Sequence, residues 1–143
     1  MAEHSQRIED ALVAYLQTLT TFSGSPLIHA GESDDDKTTA VLVARIDGDM
    51  ENEDPAYSNN RWCNAVIELR TPISEDDSTD WLAQHKLNAA ALEDAILDDG
   101  FESGISNASL YVYKAIDRVP IREQAADYWM SGYRFRLYSG LLN

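Results

Sequence analysis

Only one cysteine, Cys63, occurs among the 143 residues of this chain. A single thiol excludes an intramolecular disulfide framework and is typical of a protein in a reducing compartment. No apolar run approaches the roughly 18 residues that a membrane-spanning helix needs. The first residues also lack the basic segment and apolar stretch of a signal peptide. We therefore expect a protein that is made and kept in a cytosol, with no membrane partner.

Basic residues are scarce as well. The chain has 11 Lys and Arg against 25 Asp and Glu, which gives a formal net charge of −14. It lacks the excess of cations that neutralises nucleic-acid phosphates, and it repels DNA and anionic membranes. The composition therefore argues against a general nucleic-acid-binding protein. The length and the 44% of hydrophobic residues predict one globular domain over 1–143.

Familiar catalytic motifs are missing too. The chain has no Gly-x-Ser-x-Gly hydrolase elbow, no Gly-x-x-x-x-Gly-Lys phosphate loop and no dinucleotide-binding glycine pattern. The possible zinc ligands are His4, His29, His85 and Cys63, and no pair of them has zinc-site spacing. His85 falls on an apolar helix stripe and is predicted to be a packed core histidine. We expect no catalytic residues, no metal and no cofactor.

One acidic segment resembles the opening of a calcium-binding loop. Asp47, Asp49, Glu51 and Glu53 alternate as the ligands of such a loop do. The loop needs glycine at its sixth position, however, and that position holds Asn52. The flanking residues also read as strands rather than helices. We interpret the segment as the solvated tip of a hairpin.

Hydrophobic periodicity predicts the element order α-β-β-α-β-β. This order is typical of an α+β domain in which two helices pack on one face of a four-stranded sheet, antiparallel or mixed. Ordinary hairpin loops take two to five residues, so the acidic tip over 47–60 is unusually long. The predicted elements are a helix over 5–19 capped by Ser5, a short extended piece at 27–29, strands over 38–46 and 61–70, a helix that Ser78 or Thr79 caps and that ends near Gly100, a strand over 108–116, a polar connection over 120–127 and a strand over 129–138.

Aromatic residues concentrate on or beside the predicted strands. Three readings compete: stacking of single-stranded RNA bases, core packing and a subunit interface. Base stacking needs a basic surround, which this composition lacks. Two helices cannot cover both faces of the sheet, so we predict a subunit interface. The predicted interface or channel-lining residues are Asp47, Asp49, Glu51, Glu53, Asp54, Tyr57, Trp62, Tyr111, Tyr113, Trp129 and Tyr133.

The order of elements resembles that of a known family. The chain has an opening helix over 7–19, a long-tipped hairpin over 38–70, a helix containing the run 87–96, and a closing strand over 132–138 that begins with glycine and then alternates aromatic residues. This arrangement resembles the tail terminator and tail-completion proteins of long-tailed bacteriophages. The resemblance covers most of the chain and rests on architecture rather than on a residue motif.

The resemblance implies a structural virion protein, assembled in the host cytoplasm. It implies a homo-hexameric ring at the head-proximal end of the tail tube, with the tail tube protein and a head connector as partners. DNA would pass through the acidic bore of the ring without specific binding. A neck or head-completion protein, a small DNA-mimicking inhibitor whose carboxylates imitate phosphates, and a metal enzyme built on an acidic loop are the alternatives.

Overall fold

The computed structural model describes residues 4–24, 26–31, 40–52, 60–73, 80–124 and 128–142. Within these ranges the chain forms three helices and five strands, where the sequence predicted two helices and four strands. The elements are α1 His4–Thr18, β1 Leu27–Ala30, β2 Val41–Asn52, β3 Asn60–Pro72, α2 Trp81–Leu97, α3 Phe101–Ile105, β4 Leu110–Gln124 and β5 Tyr128–Leu141.

The five strands form one mixed sheet in the order β1-β2-β3-β5-β4. β1 runs parallel to β2, and the other neighbouring pairs are antiparallel. The α+β class is confirmed. The fifth strand is the piece expected at 27–29, which pairs with 41–44 at one edge of the sheet. β4 forms the other edge.

All three helices pack on one face of the sheet, which we call the inner face. The buried side chains of the helices and the inward side chains of the strands form one hydrophobic cluster. At its centre the ring of Phe101 meets Phe135 and Tyr15 edge to face, with centroid distances of 5.4 and 5.5 Å. Each large apolar side chain buried in this way contributes about 1.5–3 kcal/mol. The helix contributions are Ile8, Leu12 and Leu16 from α1, Leu92 and Ile96 from α2, and Phe101 and Ile105 from α3.

The two faces of β3 follow the predicted alternation. Side chains alternate across a strand because successive Cβ atoms point to opposite sides. The inner face of β3 carries Cys63, Ala65, Ile67 and Leu69, all in the core cluster. Trp62, Val66, Glu68 and Arg70 lie on the opposite face, which we call the outer face.

The helix boundaries differ slightly from the prediction. α1 begins at His4, so Ser5 lies inside the helix rather than capping it. α2 begins at Trp81, and its N-cap is Asp80, whose Oδ1 accepts a hydrogen bond from the Ala83 amide at 3.0 Å. The expected caps at 78–79 lie outside the described residues. Gly100 does not end α2; it precedes the short helix α3 with an ordinary φ of −86°.

β4 is much longer than the sequence predicted. The prediction of a polar connection over 120–127 was wrong for 120–124, because these residues continue β4 and pair with 129–133. Pro120 is compatible with this strand because β4 is an edge strand, where one side of the backbone needs no partner. Two register shifts interrupt the pairing, one between 112 and 114 and one between 116 and 119, and Asp117 within the second has a φ of 54°. Because of these irregularities, the side chains of β4 do not alternate regularly between the two faces, and the sequence pattern did not predict the full length of the strand.

The acidic tip is also shorter than expected. β2 continues to Asn52, past a register shift between Asp47 and Glu51 where Gly48 has a φ of +85°. β3 begins at Asn60. The residues that separate the two strands are therefore 53–59, which lie outside the described residues.

Candidate functional site

A row of aromatic rings crosses the outer face of the sheet over three strands. Trp62 on β3 lies 5.0 Å from Tyr138 on β5, measured between ring centroids. Tyr138 lies 5.3 Å from Tyr113 on β4, and Tyr113 lies 4.7 Å from Tyr111. Pairs at these separations contribute about 0.5–1.5 kcal/mol each beyond the area they bury. We call these four residues the aromatic row.

The strand register explains why the four rings meet. Trp62 and Tyr138 are direct partners in the antiparallel pair of β3 and β5, so their side chains share a face. On β4, Val112 pairs with Ser139 and Lys114 with Tyr138, which leaves Tyr113 as an extra residue. Such a bulge re-aims the side chain that it carries. It brings the Tyr113 ring against Tyr138.

The row becomes more exposed towards the β4 edge. Tyr111 and Tyr113 are each 48% exposed, whereas Trp62 and Tyr138 are half-buried. Ile116 is 39% exposed and pairs with a β5 residue of the outer face. None of the three described helices covers this face. A continuous exposed surface of this kind is typical of a docking site.

Basic side chains surround the row, although the whole chain is acidic. The guanidinium of Arg136 lies 5.0 Å from the centroid of the Trp62 ring. Arg134, two residues away on the same face, is largely exposed, and Lys114 is exposed at the β4 edge. Five of the eleven basic residues of the chain lie on the outer face: Arg45, Arg70, Lys114, Arg134 and Arg136.

A buried carboxylate organises the other half of the outer face. Glu68 Oε1 accepts a hydrogen bond from Arg45 Nη1 at 2.6 Å, and its Oε2 accepts from Arg70 Nη2 at 2.8 Å. Burial acts to raise the pKa of Glu68, but the hydrogen bonds and charges of the two arginines outweigh it and lower that pKa. The guanidinium of Arg70 also lies 5.8 Å from the Tyr128 ring centroid. The cluster lies beside the buried Val43 and Val66.

The opposite side of the molecule, formed by the helices, is acidic. The helices and the residues next to them hold eight described acids and only two bases, Arg7 and Lys86. The acids are Glu9, Asp10, Asp80, Glu93, Asp94, Asp98, Asp99 and Glu102. Among the described side chains, the outer face therefore carries more bases than acids, and the helix layer carries more acids than bases.

A groove of about 430 Å³ lies between α1 and α2 on this acidic side. We call it the helix groove. Its lining is mainly apolar, with two carboxylates, Asp94 and Asp98. Leu87 at the groove is 62% exposed. The amide of Asn88 accepts from Ser23 N at 2.6 Å and donates to Ser23 O at 3.0 Å, which ties the chain after α1 to α2.

The only described histidine with a buried polar network is His85, on α2. Its Nδ1 lies 2.7 Å from Thr71 Oγ1 and its Nε2 lies 2.9 Å from Ser131 Oγ. The ring is 6% exposed, and burial lowers the pKa of His85. A cavity of about 290 Å³ beside it is also lined by Tyr133. The predicted packed core histidine is confirmed, and its two hydroxyl partners satisfy both ring nitrogens.

Among the described residues, no group of three or more His, Cys, Asp or Glu side chains could hold a metal ion. The thiol of Cys63 is buried, and burial raises its pKa to about 12. It is therefore a poor nucleophile. The pair His85 and Ser131 has hydrogen-bond geometry but no carboxylate behind the imidazole.

The structure brings together only part of the predicted site. Trp62, Tyr111 and Tyr113 lie in the aromatic row, and Asp47 lies beside it, with its Oδ2 4.0 Å from Arg134 Nε. Trp129 and Tyr133 lie on the inner face instead. Trp129 packs near His85 at a centroid distance of 6.2 Å, and Tyr133 is only 8% exposed. The remaining acidic and tip residues have no described side chain: Asp49, Glu51, Glu53, Asp54 and Tyr57.

Four residues in or near the aromatic row were missing from the predicted site. They are Lys114, Arg134, Arg136 and Tyr138. A signal for three of them was present, because Arg134, Arg136 and Tyr138 alternate with the apolar residues of β5. Lys114 carried no such signal, since the bulge at Tyr113 reverses the alternation of β4.

No protein-family model matches this chain, and no curated protein matches it at a significant level. Among the described residues, no helix has both the length and the apolar character that crossing a membrane requires.

Proposed function

We propose that this chain is a structural virion protein: a tail terminator or tail-completion subunit that forms a homo-oligomeric ring. In this proposal the ring, a hexamer, sits at the head-proximal end of a phage tail tube and joins it to the head connector. The chain acts by assembly and is not an enzyme, and it needs neither metal nor cofactor. A neck or head-completion role belongs to the same class.

The observation that carries the proposal is the exposed end of the aromatic row. Tyr, Trp and Arg are the residues most enriched at the centres of protein interfaces. Here Tyr111 and Tyr113 are each about half exposed, and Arg136 stacks on the buried end of the row at Trp62. An isolated monomer gains little from exposing these rings, whereas a neighbouring subunit would bury them.

The charge of the chain supports a channel role. A ring of subunits, each with a net charge of −14, repels the phosphates of DNA that passes through it. Repulsion keeps the DNA from adhering to the wall. The exposed carboxylates Asp10 and Asp99 on the helix layer are available for such a lining.

The same acidic layer also favours a second candidate, a DNA-mimicking inhibitor. Its carboxylates would imitate phosphates for a DNA-processing enzyme. The basic residues around the aromatic row count against this function, because a mimic has no use for a positive outer face.

Light scattering coupled to size-exclusion chromatography, followed by electron microscopy, tests the proposal. We expect rings of wild-type protein, alone or after mixing with purified tail tube. The double variant Tyr111→Ala/Tyr113→Ala should stay monomeric with an unchanged circular dichroism spectrum. Leu27→Ala, at an equally exposed position on β1, should still assemble. A wild-type monomer at every concentration and with tail tube, or tight binding to a DNA-processing enzyme, would refute the proposal.

A further inference from the structure

We infer that neighbouring copies meet through two different surfaces: the outer face around the aromatic row of one copy docks into the helix groove of the next. This inference rests on the proposed function, since it names the contact that would build the ring. It commits to a second copy of this chain as the occupant of the outer face.

The outer face supplies aromatic and positive groups that project into solvent. Tyr111 and Tyr113 are each 48% exposed, and the side chain of Arg134 is 59% exposed. Lys114, next to Tyr113, is exposed as well. Among the described side chains, the carboxylate of Asp47 lies 4.0 Å from Arg134, and at half exposure it screens that charge only weakly.

The helix groove supplies complementary groups. One wall of the groove is formed by Tyr15 of α1 and by Leu19 just after α1. The facing wall contains small alanine side chains of α2, which leave room in the groove. The volume of about 430 Å³ is more than a tyrosine side chain occupies. Asp94 and Asp98 provide the charged groups of the lining, and none of the described residues that line the groove is basic. The exposed Leu87 extends the apolar surface at one end.

Charge favours this pairing over the symmetric one. If two outer faces met, Arg134 and Lys114 of both copies would approach each other, and like charges in an interface cost several kcal/mol. If two helix layers met, Asp94 and Asp98 of one copy would face the same two carboxylates of the other copy, and these negative charges would repel each other. The contact between an outer face and a helix groove is the combination that places opposite charges together.

The position of the two surfaces makes the contact heterologous. The sheet and the helices are opposite layers of one fold, so a copy that uses its outer face still presents its helix groove to a further copy. Heterologous contacts form a closed ring when the rotation between neighbours closes, and an open filament when it does not. This contact therefore builds a ring, and not a two-fold symmetric dimer, when the rotation between neighbours closes.

A charge-swap experiment tests the pairing. The sheet variant is Lys114→Glu/Arg134→Glu and the groove variant is Asp94→Lys/Asp98→Lys. Each alone should associate at least tenfold more weakly than the wild type, measured by analytical ultracentrifugation. An equimolar mixture should recover assembly, because the altered outer face then meets an altered groove of opposite charge. Raising the salt concentration should weaken the wild-type assembly.

A crosslinking experiment gives an answer that does not depend on charge. Cys63 is 1% exposed and its thiol has a pKa of about 12, so a short bismaleimide should not crosslink the wild-type chain. The variant Ile116→Cys/Leu87→Cys keeps all four rings of the aromatic row and should give a ladder of crosslinked oligomers. Neither single variant should crosslink alone, whereas their mixture should give dimers.

The outcomes separate the two proposals. If the wild type is oligomeric and Ile116→Cys alone forms crosslinked dimers, the contact is symmetric and the inference is overturned. The proposed function is then judged separately, by whether the wild type forms rings in electron micrographs. A wild-type chain that stays monomeric, even with tail tube, overturns both. Binding of single-stranded nucleic acid that the sheet variant abolishes, without self-association, would assign the outer face to a different partner.

Discussion

The Arg136 guanidinium lies over the indole ring of Trp62, 5.0 Å from its centroid. The pair joins β5 to β3 on the outer face and begins the aromatic row that ends at Tyr111. A cation in this position is attracted by the electron density of the ring face. The pair therefore stabilises the half-buried end of the row and holds its rings in line.

Arg136→Lys should weaken this contact, because an ammonium group lacks the planar stacking surface of a guanidinium. We expect the free energy of unfolding to fall by about 0.5–1 kcal/mol, measured by urea denaturation. Arg134→Lys is the matched control, two residues away on the same face and mostly exposed. It should leave stability unchanged, and equal losses in both variants would contradict a specific role for the stack.

Glu68→Gln should destabilise the fold because two arginines would lose their shared carboxylate. Breaking a fully buried pair costs about 3–5 kcal/mol, and the partial exposure of Arg45 and Arg70 reduces our expectation to about 2–3 kcal/mol. Asp47→Asn, on the exposed pair with Arg134, should change stability by less than about 1 kcal/mol.

The same carboxylate has a pH signature. Its folded pKa lies below the ordinary value, so its stabilising contribution is present above the unfolded pKa and is lost as the pH falls through the folded pKa. The stability difference between wild type and Glu68→Gln should therefore shrink on acidification below about pH 4.5. A difference that stays constant down to pH 2.5 would exclude this linkage.

Gly132 allows β5 to approach β3 closely. A Cβ at this position would lie 2.2 Å from the carbonyl oxygen of Ile67, a backbone atom that cannot move aside. Gly132→Ala should cost about 1–3 kcal/mol or prevent folding. At Gly140, on the same strand and face, the nearest atom is Oδ1 of the Asn60 side chain, which can rotate away. Gly140→Ala should therefore lower the stability less than Gly132→Ala does, and thermal unfolding of the two variants tests this difference.

His85 should make the fold sensitive to mild acid. Burial lowers its folded pKa, so below the unfolded value of about 6.5 the unfolded state binds more protons and the native state loses stability. His85→Gln keeps a hydrogen-bonding side chain but does not titrate. The free energy of unfolding of the wild type minus that of His85→Gln should decrease as the pH is lowered from 7.5 to 5.5. A difference independent of pH would show that His85 titrates equally in both states.

The local pattern of apolar residues in the sequence predicted several elements well. The stripe that includes His85, Leu92 and Ile96 predicted α2, because a helix buries residues three and four apart. The alternation in 61–70 predicted both faces of β3. The opening helix was also found, to within one residue at either end.

Other elements were missed for identifiable reasons. Only four residues form β1, too few for a clear pattern, and its parallel pairing depends on a distant partner. The end of β4 contains Pro120 and several charged residues, which normally signal a loop. An edge strand tolerates both, but edge position is a property of the assembled sheet.

The sequence by itself determined the α+β class, the acidity of the chain and the residues that β3 and β5 place on each face. These features depend on composition and on the short-range geometry of the backbone. Only the tertiary structure decided that Trp62, Tyr138 and Tyr113 form one row, because strand register and a bulge on β4 bring together residues far apart in the chain. It also placed the five bases of the outer face and the acids of the helices on opposite sides of the shared apolar core.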